Sequence, residues 1–172
     1  MKPFVLPVAD LLFRPGGRRP ERLVAPLPGQ LTVGRSVVPA GSVVEVETVL
    51  EWVTDGLLAS GSLSAPWVGE CRRCLGPVQG MLDVEFRELF EQSPREGESY
   101  RLGHDTVDME PLVREALVLE LPLAPVCDES CAGLCPTCGA DLNKGACGCE
   151  TETGDPRWAA LDALRLDPPS GE

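Results

Sequence analysis

The stretch SVVEVETVLEWVTDGLLASGSLSAPW, residues 42–67, carries the clearest structural pattern of this chain. Apolar and polar side chains alternate through residues 44–52 and again through residues 57–67. A period of two is typical of strands that have one buried face and one solvated face. Between the two runs, Asp55-Gly56 can supply the positive φ angles of a tight turn. The stretch therefore predicts an antiparallel hairpin.

The sequence on both sides extends this hairpin into a larger sheet. Residues 78–90 repeat the alternation, which predicts a third strand and an antiparallel meander. The first 40 residues hold seven of the 17 prolines, a composition that suits edge strands and loops better than central strands. Short edge strands are therefore predicted near residues 3–6, 21–25 and 31–34.

One helix is predicted after the meander. A polar loop over residues 91–105 and a brief strand at 106–107 lead into Asp108, which can cap a helix that has Pro111 in its first turn. Apolar side chains recur at helical spacing until Pro122 ends the pattern, namely Leu112, Val113, Ala116, Leu117 and Leu121. We expect this helix to cover the sheet.

These elements together predict an α+β protein. An antiparallel, partly closed β-sheet covered by a helix is expected over residues 1–125, and a C-terminal cysteine-rich zinc-binding segment over residues 126–172. Asp155-Pro156 repeats the pattern of a cap followed by proline, so a short terminal helix is expected there, with one apolar side formed by Trp158, Leu161 and Leu164.

Composition places the chain among globular proteins of a reducing compartment. Of the 172 residues, 43% are hydrophobic, enough for a sizeable core. No apolar run is long enough to span a bilayer, and prolines interrupt the opening MKPFVLPVADLLF where a secretory signal would need a continuous apolar stretch. We therefore predict a cytoplasmic protein without a membrane segment.

The charge is unevenly distributed along the chain. The net charge is −12, yet residues 1–40 hold six bases and two acids, about +4, which leaves nine bases and 25 acids, about −16, for the remainder. An acidic body favours a basic partner and argues against a chain that wraps nucleic acid. The basic N-terminal loop at residues 14–22 remains a candidate for a limited phosphate contact.

Six of the eight cysteines lie between residues 127 and 149. In a reducing compartment such a cluster more often binds metal than forms disulfides, which are the second interpretation. The CPTCG motif at 135–139 can form a knuckle in which two sulfurs face one ion, and CGC at 147–149 is a natural second pair. The neighbouring cysteines are close enough to replace one ligand, so the candidate metal ligands are Cys127, Cys131, Cys135, Cys138, Cys147 and Cys149.

The remaining two cysteines form the motif CRRC at residues 71–74, between the second and third strands of the meander. They could join Cys127 and Cys131 in a second four-sulfur site, or stay reduced and face a partner. A redox dithiol is a third interpretation, although thioredoxin-type motifs open a helix and here a strand follows.

Several stretches in fixed order resemble the large ribosomal RNA subunit accumulation protein family, the YceD-like proteins. The resemblance covers about residues 70–165 and rests on CRRCL at 71–75, DMEPLVREALVLELPLAPVC at 108–127, CAGLCPTCGADLN at 131–143, CGC at 147–149 and DPRWAALDAL at 155–164. It implies a non-enzymatic ribosome biogenesis factor that supports accumulation of large-subunit (23S) rRNA. Its partner would be a ribosomal protein or the pre-ribosomal large subunit.

Two other functions compete with this one. An enzyme is disfavoured because the single histidine, His104, lies in a polar loop, and because no HExxH, P-loop, dinucleotide-binding or GxSxG motif is present. A rubredoxin-like or thiol-based redox protein is the main alternative, since the CPTCG knuckle can hold iron as well as zinc.

Overall fold

The structure is a computed structural model of the full chain, and it describes residues 3–94 and 97–149. The chain divides into two compact units, Met1–Cys131 and Ala132–Glu172. The terminal helix predicted at residues 155–164 lies outside the described residues. Within the described part of the chain, no helix has the length and apolar character needed to cross a membrane.

The described residues of the first unit form short and long strands followed by one helix. In chain order these are β1 (Val5–Pro7), β2 (Arg18–Pro26), β3 (Leu31–Val33), β4 (Ser36–Val38), β5 (Val43–Val53), β6 (Gly56–Glu70), β7 (Pro77–Glu91), β8 (Tyr100–Arg101), β9 (Thr106–Asp108) and α1 (Glu110–Glu120).

Strand β6 is the centre of the main sheet. It pairs antiparallel with β7 along one edge, and its other edge is shared by β5 and β4. This sharing is possible because β6 has 15 residues and β5 has 11. β2 extends the sheet beyond β5, β3 extends it beyond β4, and β8 joins β7 in parallel, while β1 and β9 form a separate pair. The predicted meander and the mostly antiparallel sheet are confirmed.

The predicted partial closure of the sheet is not found among the described strands. The pairings lead outward from β6 through β5 to β2, through β4 to β3, and through β7 to β8, and none of them joins these ends. The alternation of apolar and polar residues predicts single strands, but it does not indicate which strands pair along each edge. The sequence therefore did not show that β5 and β4 share one edge of β6.

The hairpin turn lies one residue earlier than predicted. Gly56 pairs with Val53, so Thr54 and Asp55 form the turn and Gly56 is already part of β6. A Cβ atom on Gly56 would lie 2.2 Å from the carbonyl oxygen of Phe90 on β7. The glycine is therefore required by the close approach of β7 rather than by the turn itself.

Helix α1 contributes to the same hydrophobic core as the strands. Its buried side chains Leu112, Val113 and Leu117 belong to that core, and the helix packs against β3 and β7. The N-cap residue is Met109, one position later than predicted, although the Asp108 carboxylate still accepts a hydrogen bond from the Glu110 amide at 3.0 Å. The helix ends at Glu120, just before Pro122, as predicted.

Candidate metal centres

The structure brings the eight cysteines together in two groups of four. Within each group, the sulfur atoms all lie within 4.8 Å of one another. The first cysteine cluster lies in the first unit and contains Cys71, Cys74, Cys127 and Cys131. The second cysteine cluster lies in the second unit and contains Cys135, Cys138, Cys147 and Cys149.

The first cysteine cluster joins two segments that are far apart in sequence. Cys71 and Cys74 lie in the turn between β6 and β7, and Cys127 and Cys131 follow α1. The Sγ atoms of Cys71 and Cys131 are 3.9 Å apart, and those of Cys74 and Cys127 are 3.6 Å apart. Cys71 and Cys131 are buried, whereas Cys127 is exposed.

A knuckle at residues 71–76 places the first two of these sulfurs. The Cys71 amide donates to the carbonyl of Gly76 at 2.8 Å, and the Leu75 amide donates to the carbonyl of Cys71 at 2.9 Å. The Arg73 amide points at the Cys71 sulfur, 3.4 Å away. To close this turn, Leu75 takes a left-handed conformation with φ of 59°, which is costly for a residue with a side chain.

The CPTCG motif forms the same knuckle in the second unit. The Cys135 amide donates to the carbonyl of Ala140 at 2.8 Å, and the Gly139 amide donates to the carbonyl of Cys135 at 2.9 Å. Gly139 occupies the position equivalent to Leu75 and has φ of 72°. The two CxxC motifs are therefore built alike, although only one carries the glycine that makes the motif easy to recognise.

Polar contacts hold the partner segment of the first cysteine cluster beside the knuckle. The Arg72 amide donates to the carbonyl of Pro125 at 2.8 Å. The Arg73 guanidinium donates from Nη1 to the carbonyls of Glu129 at 2.8 Å and Cys131 at 3.0 Å. Asp128 accepts from the Ser130 amide at 2.8 Å, which shapes the short turn between the two cysteines.

A compact loop presents the sulfurs of the second cysteine cluster. The Asp141 side chain accepts from the Asn143 amide at 3.0 Å and begins the 3₁₀ turn Leu142–Lys144. Asn143 Oδ1 in turn accepts from the Ala132 amide at 2.8 Å, and the Leu142 amide donates to the carbonyl of Gly133 at 2.9 Å. These bonds bring both ends of the loop together.

The electrostatics of the two clusters are alike. Hydrogen bonds from backbone amides, chiefly that of Cys74, lower the pKa of Cys71 to about 6, while the neighbouring Cys131 thiol raises the pKa of Cys127 to about 12. In the second cluster the amide of Cys138 lowers the pKa of Cys135 to about 6, and the thiol of Cys138 raises the pKa of Cys149 to about 12. Crowded sulfurs thus resist losing all their protons unless a cation lies among them.

The grouping resolves one question that the sequence left open. Cys127 and Cys131 do not join the cluster that contains the CPTCG motif; they lie with Cys71 and Cys74. A four-sulfur group of this kind was one of the three interpretations given for Cys71 and Cys74. Each cluster could hold one metal ion. The sequence allowed this grouping but could not select it among the three interpretations, because Cys74 and Cys127 are 53 positions apart.

The basic stretch at residues 14–22 differs from the predicted loop. From Arg18 onward it is strand β2, and its arginines pair with nearby carboxylates. Arg19 contacts Asp10 and Glu21, both at under 3 Å, and Arg22 Nη2 lies 2.9 Å from Glu45. Only residues 14–17 remain outside the strand.

Comparisons with known proteins identify the family. The family model described as "Large ribosomal RNA subunit accumulation protein YceD" matches residues 59–165. This chain belongs to the YceD family. An uncharacterised protein of Mycobacterium tuberculosis is 36% identical over 166 residues, covering 92% of this chain and 80% of that protein. The match to a chloroplastic YCED homolog 1 of Arabidopsis thaliana is 37% identical over 59 residues, covering 34% of this chain and 18% of that protein. No solved structure matches.

Proposed function

We propose that this YceD family protein is a non-enzymatic ribosome biogenesis factor that supports accumulation of large-subunit (23S) rRNA in the cytoplasm. The observation that carries the proposal is the family match over residues 59–165, a range that contains α1 and all eight cysteines. Clusters made only of sulfur favour a structural role over catalysis, because catalytic metal sites keep an open position and usually include histidine or carboxylate ligands.

The cofactor that fits the second cysteine cluster best is zinc. Four thiolates arranged by a knuckle and a tight loop are typical of closed structural zinc sites. Residues 132–149 contain a single buried apolar side chain, that of Cys135, so hydrophobic burial alone contributes little to their order. A zinc ion bound by Cys135, Cys138, Cys147 and Cys149 would supply the missing stabilisation.

The partner that fits the first unit best is a basic ribosomal protein, met alone or on the pre-ribosomal large subunit. Support comes from the exposed face of the main sheet, where acidic side chains on β5 and β7 flank serines on β6. The strand register forms two such rows, Glu45 with Ser64 and Asp83, and Glu47 with Ser62 and Glu85. Complementary charge of this kind speeds encounter with a basic surface and discourages direct contact with rRNA.

Any rRNA contact is proposed to be limited and to involve the basic loop that precedes β2. The pairing of Arg18, Arg19 and Arg22 with carboxylates supports this limit, because a paired guanidinium must leave its partner before it can bind phosphate. Arg14 lies outside the strand and is the best placed for such a contact.

Loss of the gene from its host cell tests the function. We expect the ratio of large-subunit to small-subunit rRNA to fall during growth and to recover when the wild-type chain is supplied. An unchanged ratio, measured together with the level of large-subunit precursors, would overturn the proposal.

Affinity capture with the tagged full chain tests the partner. After nuclease treatment, a basic ribosomal protein should remain bound, and Asp83→Lys should weaken its capture. Asp55→Lys changes the net charge equally but lies in the β5–β6 turn, so it should leave capture intact. Recovery of rRNA without a basic protein would contradict the assignment.

A further inference from the structure

We propose that the first cysteine cluster holds a zinc ion of its own, separate from the one in the second unit, and that this ion fastens the β6–β7 turn to the segment after α1. The protein would then carry two structural zinc ions. This inference does not depend on the role in ribosome assembly, because it concerns only the four sulfurs of Cys71, Cys74, Cys127 and Cys131.

The sulfur spacing in the first cysteine cluster suits a tetrahedral metal ion. Zinc bound to thiolate has Zn–S bonds of about 2.3 Å, which place the sulfurs of a tetrahedron about 3.8 Å apart. The separations of 3.9 Å from Cys71 to Cys131 and 3.6 Å from Cys74 to Cys127 bracket that value. A disulfide would need the sulfurs at about 2.0 Å.

The knuckle supplies a second, independent argument. Residues 71–76 repeat the hydrogen bonds of the CPTCG knuckle, although Leu75 must adopt a left-handed conformation to do so. Strain of this kind persists only where the surrounding structure requires it. Here the strained turn places the sulfurs of Cys71 and Cys74 beside those of Cys131 and Cys127.

The position of the first cysteine cluster explains what the ion would do. Residues 74 and 127 enclose β7, β8, β9 and α1, so an ion bound to both would close this part of the chain into one loop. Closing so long a loop removes more freedom from the unfolded chain than from the folded one, and therefore stabilises the fold. The contacts of Arg73 with the carbonyls of Glu129 and Cys131 would hold the ligands in place from outside.

Counting zinc per chain in matched variants tests the proposal. The full chain is loaded with zinc under reducing conditions, desalted and measured by elemental analysis against protein concentration. We expect two ions in the wild type, one in Cys74→Ser/Cys127→Ser, and one in Cys138→Ser/Cys147→Ser. Arg72→Ser, which changes an exposed side chain between two ligands, should keep both ions.

Two further measurements keep the test decisive if the first double variant does not fold. Arg73→Ala should retain both ions but lower the affinity of one of them by about tenfold or more, as loss of a contact that orients metal ligands does. Cobalt loaded into the wild type should give the charge-transfer absorption of two four-thiolate sites per chain. One ion in the wild type, or a Cys74–Cys127 disulfide in the reduced preparation, would overturn the proposal.

Discussion

Removing the proposed zinc ligands of the second unit should unfold residues 132–149 while the sheet remains intact. The double variant Cys138→Ser/Cys147→Ser is suited to this test, because Cys138 is exposed and Cys147 is half-buried, so little packing is lost with the sulfurs. Thr137→Ser, at an exposed position beside Cys138, is the matched control.

The size of the effect follows from the contacts of the segment. Ordering residues 132–149 costs about 25 kcal/mol of backbone entropy. The half-buried side chains of Leu134 and Leu142 return about 3 kcal/mol, and the hydrogen bonds within the segment about 7 kcal/mol. Binding of the proposed zinc ion would contribute about 10–16 kcal/mol and would account for the remainder. Without the ion, the segment has no source of stabilisation large enough to stay folded.

Hydrogen exchange read residue by residue is the assay. The amides of Cys135, Gly139 and Leu142 should be protected in the wild type and in Thr137→Ser, and should exchange as in an unfolded chain in the double variant. The amides of β5 and β6 should keep their protection in all three proteins. If the three reporter amides stay protected after loss of the ligands, the metal is not what orders residues 132–149.

Three further predictions concern the sheet, the helix and the thiols. Gly61→Ala should destabilise the protein by about 1–3 kcal/mol in a chemical denaturation experiment, because the added Cβ would lie 1.9 Å from the carbonyl oxygen of Glu47 on β5. A loss of stability no larger than that caused by the neighbouring Ser62→Ala would count against the β5–β6 register. Tyr100→Phe should cost about 1 kcal/mol, because the Tyr100 hydroxyl donates to the Glu115 carboxylate at 2.6 Å. Burial and this carboxylate raise the pKa of Tyr100. The hydroxyl therefore contributes fully to the free energy of unfolding below its ordinary pKa of 10, and this contribution is lost at higher pH. Wild type and variant that lose equal stability above pH 10 would contradict this. Zinc affinity, measured by competition with a chelator of known pH dependence, should fall as the pH is lowered. The reason is that Cys127 and Cys149, each with a pKa of about 12 in the metal-free chain, must release protons when zinc binds. An affinity that does not change with pH would exclude thiolate ligation.

The long strands could be predicted from the sequence because burial on one face leaves a visible alternation. β5, β6 and β7 all follow it, and their register places the predicted apolar positions in one core. β4 and β8 were missed for a different reason. They are as short as β1, β3 and β9 and show no period of their own, and they are strands only because β6 and β7 have free edges beside them.

The cysteine motifs were recognisable, but their assignment to two groups was not. CPTCG and CGC are close in sequence, so their proximity in space follows from a short loop. Cys71 and Cys74 meet Cys127 and Cys131 only because β7, β9 and α1 return the chain to the β6–β7 turn. That return depends on tertiary packing, which local sequence patterns do not encode.

X-ray absorption at the zinc edge of the zinc-loaded full chain reports the atoms that surround the metal, and so it tests whether the cysteine sulfurs are its ligands. If both clusters bind zinc as described, the average ion has four sulfur neighbours at about 2.3 Å and no nitrogen or oxygen ligand. A mixed shell containing nitrogen or oxygen, or a preparation whose cysteines are oxidised in pairs and carry no metal, would show that the two clusters are not four-sulfur zinc sites.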